Sequence, residues 1–264
     1  MLPNLSIPPI EIYGGLKIEP FSVLVVIAVF IGAQLAYGRA KRTGLNTRIM
    51  VDGILWAVAV GFVMAHWVVV ISSYPQEALK NPLIFLEVWN GFSSLGGFLG
   101  GMLGAFIYFK RKKVPFIPYI EAILFGLIPA WIIGRLGCSI AFDHPGLATD
   151  FFLGMVDKYG VVRHNLGFYE MLLAVFLTAT LYVLRDLRPF EGFHFTLMIF
   201  LYTPARIFLD TLRVSEKTYW GFSLGQYGSF ALLGLGIILV IRGLRKRFHY
   251  TGVLTTTNGL IRRE

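Results

Sequence analysis

Charged residues and cysteine are both scarce in this chain. Only 15% of its 264 residues are Asp, Glu, Lys or Arg, whereas 56% are hydrophobic. Soluble domains are about one quarter charged, so the composition disfavours a water-soluble protein and favours lipid as the solvent. The single cysteine, Cys138, excludes an intrachain disulfide and leaves the redox compartment open. No basic segment precedes a short apolar stretch at the N-terminus, so we expect no cleaved signal peptide.

Long apolar stretches recur along the whole chain. A helix needs about 20 such residues to cross a bilayer, and seven stretches are long enough: Phe21–Gly38, Ile54–Ser72, Gly91–Phe109, Tyr119–Cys138, Leu166–Leu184, Phe193–Leu212 and Phe222–Ile241. No internal repeat is visible, and no soluble domain fits between the stretches. We therefore predict an all-α integral membrane protein with seven transmembrane helices in a single polytopic domain, residues 1–264.

The basic residues are distributed unequally between the two sets of loops. Sixteen of the 24 Lys and Arg residues lie in one set, six lie in the other, and two lie within spans. The positive-inside rule predicts a cytoplasmic C-terminus and an external N-terminus. Residues 1–20 and loop 139–165 are then external, and the tail 242–264 is cytoplasmic. The net charge of +9 is mostly a basic collar that faces anionic lipid headgroups, so we expect no nucleic-acid partner.

Arg135 and Arg206 lie within strongly apolar spans. An arginine at a span centre costs a few kcal/mol, so one that persists there usually faces protein, a water-filled cavity or an anion. Span direction places both in the outer leaflet, near other polar side chains: His66, Asp143, His144, His164, Tyr169 and Glu170. Two guanidinium groups at headgroup depth suit a phosphodiester, which they bind in bidentate fashion.

Purely structural roles could also explain the two arginines, the prolines and the glycines within the spans. Asp210 lies one helical turn after Arg206 and could pair with it, whereas no acid lies one turn from Arg135 within its span. Pro129 and Pro204 could line a cavity or simply be tolerated in a transmembrane helix. In the third span, small residues recur every four positions, and this spacing indicates a helix-packing face more than a lipid contact: Gly96, Gly100 and Gly104, with Gly97, Gly101 and Ala105.

Five groups of residues follow one another between roughly residues 8 and 241. They are Asn81-Pro82-Leu83 with Val88-Trp89-Asn90-Gly91 and Gly96-Gly97; Gly134-Arg135-Leu136-Gly137 with Asp143 and Gly146; Arg163-His164 with Tyr169-Glu170; Tyr202, Arg206, Asp210 and Arg213; and Leu224-Gly225-Gln226. In this order they resemble the motifs of the bacterial prolipoprotein diacylglyceryl transferase family. The predicted seven-span topology is also that of the family.

The resemblance implies an activity and its partners. The family transfers diacylglycerol from phosphatidylglycerol to the lipobox cysteine thiol of a prolipoprotein signal peptide. It releases glycerol phosphate, works among the lipids of the bacterial cytoplasmic (inner) membrane, and uses no cofactor or metal. The implied catalytic residues are Arg135, Arg206, His164, Asp143 and His144. The implied phosphatidylglycerol-binding residues are Arg135, Arg206, Tyr202, Asp210, Gly97, Gly146 and His66.

The chain also departs from the family pattern. Leu95 stands where the family has a histidine before the glycine pair. At other positions this chain has Phe21 in place of a tyrosine, His66 in place of an arginine, Cys138 and Ala141 in place of asparagines, and Asp143 in place of a longer acid. The arginines that would bind the anion are therefore kept, whereas much of the proton-handling set differs. Each of three histidines could replace the missing base or be a hydrogen-bonded structural group: His66, His144 and His164.

Two other functions stay open at this point. A non-catalytic phospholipid-binding relative could keep the arginines and lack the chemistry. A transporter for a lipid or small anion would be expected to show repeats or a polar path across the whole membrane, and the polar residues here stop in one leaflet.

Overall fold

Helices dominate the computed structural model, which describes residues 2, 7–8, 10–11, 17–88, 91–214 and 218–260. The helices are α1 Pro20–Arg42, α2 Thr47–Ser73, α3 Pro75–Lys80, α4 Ser94–Arg111, α5 Phe116–Ala141, α6 Leu166–Val183, α7 Phe193–Thr211 and α8 Leu224–Leu260, with a 3-10 turn at Pro82–Leu86. Trp89 and Asn90 of the first motif, Lys217, Arg262 and Arg263 lie outside the described residues, as does most of segment 1–16.

Each of the seven predicted spans coincides with a helix of at least 18 residues. Five helical segments are long and apolar enough to cross a membrane: Pro20–Arg42, Thr47–Ser73, Phe116–Ala141, Leu166–Val183 and Gly225–Arg245. Helix α4 is less apolar because it is rich in glycine, and α7 because it carries His194, Arg206 and Asp210. Large apolar side chains are exposed on the helices, for example Val26 and Phe30, as expected when lipid surrounds them. The chain is therefore a multi-pass helical membrane protein.

Short strands occupy segments that the apolar pattern does not resolve. Strands β1 Ile10–Glu11 and β2 Lys17–Ile18 form an antiparallel pair. In the predicted loop 139–165, α5 continues to Ala141, and a three-stranded sheet follows, with β5 Val162–Asn165 between β3 Pro145–Ala148 and β4 Met155–Val156. Strands β6 Thr218–Tyr219 and β7 Phe222–Ser223 form a hairpin. Helix α8 continues through the predicted tail as far as Leu260.

The chain divides into two compact units, one of which is Leu35–Ile123. In this unit α4 packs on α2 through its glycines. A Cβ at Gly100 would lie 2.5 Å from the Cβ of Met64, and one at Gly104 would lie 2.7 Å from the carbonyl oxygen of Trp56. Only glycine permits so close an approach, so the predicted packing face is confirmed.

The other unit comprises Met1–Gln34 and Leu124–Glu264. Helices α5, α6 and α7 pack around an apolar core formed by Leu124, Phe125, Ile128, Leu177, Leu181 and Met198. The Tyr182 hydroxyl donates a 3.1 Å hydrogen bond to the Phe125 carbonyl and ties α6 to α5. This core fixes the three helices whose ends carry the candidate site.

Candidate functional site

The Glu170 carboxylate is the centre of a cluster of charged side chains. Its side chain is only 1% exposed, and Arg135 Nη2 lies 2.7 Å from its Oε2. Arg206 Nη1 donates a 2.5 Å hydrogen bond to Oε1, and Arg213 Nη2 lies 3.6 Å from the same oxygen. Three arginines, from α5, from α7 and from just after α7, therefore converge on one buried carboxylate of α6.

Asp210 is the second buried carboxylate of this cluster. Its Oδ1 lies 3.0 Å from Arg206 Nη2 and 3.1 Å from Arg213 Nε, and the Ser223 hydroxyl donates to its Oδ2 at 3.1 Å. We call the five side chains of Arg135, Arg206, Arg213, Glu170 and Asp210 the arginine cluster. Its three positive and two negative charges leave one positive charge in excess. Because buried charges are costly unless paired, the cluster has the electrostatics of an anion site.

Two glycines let neighbouring helices approach the cluster closely. A Cβ at Gly167 would lie 2.8 Å from the Ser139 nitrogen, so glycine is needed where α6 begins beside the end of α5. Glu170 follows one turn later and thereby comes within reach of Arg135. At the start of α8, a Cβ at Gly225 would collide with the Asp210 carboxylate and lie 3.4 Å from Arg206 Nη2.

Aromatic rings adjoin the cluster on the side of the apolar core. The Arg135 guanidinium lies 5.5 Å from the centre of the Trp131 ring, a cation–π contact. The Trp131 ring meets Tyr202 edge-on at 5.2 Å. Tyr202 therefore lies near both predicted phosphate-binding arginines: it contacts Arg135 through Trp131 and precedes Arg206 by one turn of α7. The sequence pattern did not predict Trp131 as a neighbour of the site.

A left-handed residue turns the chain back at the end of α5. Phe142 has φ of 52°, and the Asp143 N–H donates to the Cys138 carbonyl at 3.3 Å, the pattern of a Schellman helix end. The carbonyl of His144 then accepts a 3.2 Å hydrogen bond from the Leu166 N–H, at the first residue of α6. The turn therefore holds the Asp143–His144 pair beside the helix that carries Glu170.

Gly146 ties the same segment to the end of α7. It forms a β-bridge with Arg213, and the Leu147 N–H donates to the Leu212 carbonyl at 2.8 Å. A Cβ at Gly146 would lie 2.8 Å from the His164 Cβ and 2.9 Å from the Leu212 oxygen. Close backbone packing accounts for glycine here, and contact with substrate stays a prediction.

The ionisable loop residues differ in their surroundings. Burial, together with the positive charges of Arg135, Arg213 and Arg206, lowers the pKa of His144 from 6.5 to about 4. Burial also lowers the pKa of His164, whose Nδ1 lies 2.8 Å from the Tyr169 hydroxyl. For Asp143, burial and the nearby Glu19 carboxylate raise the pKa. Of the two loop histidines, His144 is the one whose pKa responds to the arginines.

The lowered pKa of His144 predicts acid sensitivity. The unfolded chain binds a proton at this histidine near pH 6.5, whereas the folded chain resists it until pH 4, so stability is lost as pH falls through this window. Between pH 7 and pH 5 we expect His144 to account for about 1–2 kcal/mol, allowing for partial exposure. Thermal unfolding in detergent at both pH values should show a larger decrease in Tm for the wild type than for His144→Gln. Equal decreases would contradict the assignment.

His66 and Gly97 belong to the unit Leu35–Ile123. His66 is fully buried, with Nε2 3.0 Å from the Ile84 carbonyl oxygen and Nδ1 3.3 Å from that of Gly91. These contacts join α2 to the 3-10 turn and to the segment before α4. A Cβ at Gly97 would lie 3.6 Å from the Ala65 Cβ, an ordinary packing distance. Phospholipid contacts for both residues stay predictions.

Glu170 and Arg213 are the charged members of the cluster that the site prediction omitted. Both were visible in the sequence: Glu170 is an acid in the first turns of an apolar span, and Arg213 follows Asp210 by three residues. Arg135 was expected to have no acid within one turn, and its partner indeed comes from another helix. The rule that intramembrane acids usually have partners could have pointed to Glu170.

Long apolar helices and a cluster of three partly buried arginines around two buried carboxylates define a class: a polytopic membrane protein with a candidate anion-binding site. The model of one protein family, described as prolipoprotein diacylglyceryl transferase, matches residues 9–242. The chain belongs to the prolipoprotein diacylglyceryl transferase family, as its motifs predicted.

Relatives in the family are similar over most of their length. A phosphatidylglycerol–prolipoprotein diacylglyceryl transferase of Clostridioides difficile is 29% identical over 227 residues, covering 85% of this chain and 90% of the relative. The phosphatidylglycerol–prolipoprotein diacylglyceryl transferase 1 of Clostridium perfringens is 26% identical over 255 residues, covering 89% of this chain and 95% of the relative. One from Listeria welshimeri is 25% identical over 241 residues, covering 86% of each.

Proposed function

We propose that this protein is a phosphatidylglycerol–prolipoprotein diacylglyceryl transferase. It transfers the diacylglyceryl group of phosphatidylglycerol to the lipobox cysteine thiol of a prolipoprotein and releases glycerol phosphate. The observation that carries the proposal is the arginine cluster, in which Arg135 and Arg206 meet at Glu170 with an excess of positive charge. Family membership and the names of relatives that match most of the chain support the same reaction.

The chemistry calls for positive groups beside the phosphate. The thiol sulfur attacks the diacylglyceryl carbon, an S–C bond forms, and the C–O bond to phosphate breaks with its electron pair going to oxygen. The phosphate charge increases by about one unit while the thiol loses its proton, so preorganised donors lower the barrier. In our proposal Arg135 and Arg206 bind the phosphate, Glu170 and Asp210 orient them, and the Tyr202 hydroxyl contacts the headgroup.

The remaining predicted residues take supporting roles in the proposal. Asp143 and His164 lie in the loop that leads from α5 to α6, where a substrate peptide would arrive. Gly146 keeps this loop against the end of α7, close to Arg213. For His66 and Gly97, which belong to the unit Leu35–Ile123, the proposed role is contact with phosphatidylglycerol.

We further propose a seven-span topology in the bacterial cytoplasmic membrane. Helices α4 and α7 then cross the membrane with the five more apolar segments, with the N-terminus outside and the C-terminus inside. The unequal distribution of Lys and Arg supports this orientation. It places the arginine cluster in the outer leaflet, where a secreted prolipoprotein and phosphatidylglycerol can both be reached.

Two glycine substitutions on α4 separate lipid contact from helix packing. For Gly97→Ala, the new Cβ lies 3.6 Å from the Ala65 Cβ, whereas for Gly100→Ala it lies 2.5 Å from the Met64 Cβ. We expect Gly100→Ala to destabilise the protein by about 1–3 kcal/mol through overpacking. Gly97→Ala should keep the wild-type Tm and, if lipid approaches its backbone, reduce transfer about tenfold. The Tm and the transfer rate of both variants distinguish the two roles. Full activity of Gly97→Ala would show that Gly97 is not part of the lipid-binding site.

Reconstitution tests the proposed function directly. The full chain is placed in phosphatidylglycerol vesicles with a lipobox peptide, and the thioether product is detected by mass spectrometry. Matched controls replace the peptide cysteine by serine or the lipid by phosphatidylcholine, and neither should yield product. Phosphatidylglycerol binding without any thioether would instead identify a non-catalytic lipid-binding member of the family.

A further inference from the structure

His144 lies where three parts of the arginine-bearing unit meet. The left-handed Phe142 reverses the chain after α5, the Leu166 N–H holds the His144 carbonyl at the start of α6, and Gly146 pairs with Arg213 two residues later. The histidine is thus fixed on both sides by backbone hydrogen bonds. These backbone contacts position His144 without any contribution from position 95, where Leu95 replaces the family histidine.

We propose that His144 accepts the proton of the incoming thiol, and that a phosphate anion in the arginine cluster is what enables it to do so. The inference rests on the proposed function and deepens it by naming the base. The thiol proton moves to an imidazole nitrogen of His144 as the S–C bond forms and the C–O bond breaks. The imidazolium then releases this proton to water and returns to the neutral imidazole.

The charges around His144 explain the dependence on the anion. Positive side chains face it from α5, from α7 and from the segment after α7, and their partners Glu170 and Asp210 do not neutralise them fully; Asp143 is its neighbour in the chain. In the absence of phosphate, burial and, after it, this positive field keep the pKa of His144 near 4. A bound phosphodiester adds one negative charge, and bond breaking adds another, so imidazolium becomes favourable as the reaction proceeds.

The other candidate bases already have ring partners. His164 Nδ1 is hydrogen-bonded with the Tyr169 hydroxyl, and both ring nitrogens of His66 face backbone carbonyls. Within residues 17–88, 91–214 and 218–260, no side chain or backbone group forms a hydrogen bond with the His144 ring. As far as these described residues are concerned, both ring nitrogens of His144 can therefore bond to a substrate.

Histidine titration provides the first arm of the test. The full chain, labelled at histidine, is reconstituted in phosphatidylcholine, and NMR follows each imidazole with pH; His144→Gln assigns the His144 signal. We expect its midpoint near pH 4 without anion and about one unit or more higher with glycerol phosphate. His164 should shift less. If the His144 midpoint is the same with and without glycerol phosphate, the proposed coupling between the anion and His144 is overturned.

Turnover provides the second arm. In phosphatidylglycerol vesicles, His144→Gln should reduce kcat about 10²-fold or more while phosphatidylglycerol affinity stays within about threefold, and added imidazole should partly restore the smaller His144→Ala variant. Wild-type kcat in His144→Gln, or a larger loss in His164→Gln, overturns the assignment. If the wild type makes no thioether, the proposed function fails, and the titration still decides whether anion and His144 are coupled. If His144→Gln does not fold, single substitutions of His66, His164, His194 and His249 assign the His144 signal by elimination, and the wild-type titration still decides.

Discussion

Arg206→Ala is expected to reduce diacylglyceryl transfer by about 10²–10³-fold or more, the loss typical of a removed transition-state donor. Arg206 bridges both buried carboxylates of the arginine cluster at short range, through Nη1 to Glu170 at 2.5 Å and Nη2 to Asp210 at 3.0 Å, whereas Arg213 lies 3.6 Å from Glu170. Its removal would take away a proposed phosphate ligand together with an ion-pair link between α6 and α7. Initial rates of thioether formation at saturating phosphatidylglycerol give the measurement.

Arg206→Lys separates charge from geometry. Lysine keeps the positive charge, but its single nitrogen cannot reproduce the planar fork. We therefore expect a loss of at least about tenfold in kcat. Arg185→Lys is the matched control, because Arg185 is half-exposed and pairs with the exposed Asp186; its rate should equal that of the wild type. Near-wild-type activity of Arg206→Lys would show that a point charge suffices and that the bidentate assignment is wrong.

Glu170→Gln is the substitution with the largest expected effect on stability. It removes the carboxylate on which three arginines converge and leaves Asp210 as their remaining anion in the cluster. Breaking a buried ion pair by removing one partner costs about 3–5 kcal/mol. Transfer should be lost as well, because Arg135 and Arg206 no longer share an anchor that sets their separation.

The charge balance makes this prediction sharper than a simple loss of folding. In Glu170→Gln the excess positive charge of the cluster rises from one to two, so binding of glycerol phosphate should be kept or strengthened while turnover falls. Binding is measured by calorimetry on variants that remain folded at low temperature. Glu191→Gln is the control, because Glu191 is exposed. Weaker glycerol phosphate binding in a folded Glu170→Gln protein would count against the cluster as the anion site.

Sequence reasoning predicted the helices well because a transmembrane span leaves a long apolar run. It also anticipated Arg206 with Asp210, since residues four apart share a helix face. It did not predict the pairing of Arg135 with Glu170, because these residues lie on two different helices that meet only through packing. The sheet of β3, β4 and β5 was missed because strands of two to four residues are too short to show an alternating pattern.

The turn that positions His144 was unpredictable for a different reason. Phenylalanine rarely adopts a left-handed conformation, so the sequence at Phe142 gives no indication of the reversal. The same holds for Gly146 and Gly167, whose importance depends on which backbone atoms lie opposite them. Residue identities therefore pointed to the chemistry of the site, whereas tertiary contacts determine which groups act together.

The close approach at Gly225 connects a membrane helix directly to the arginine cluster. The first turn of α8 rests against Asp210 and Arg206 with no room for a side chain, and most of the rest of that helix is a membrane segment. Helices adapt their tilt to the thickness of the hydrocarbon layer. We therefore expect a change in acyl-chain length to move the start of α8 relative to the two charged residues, so that the rate of the proposed reaction depends on membrane thickness.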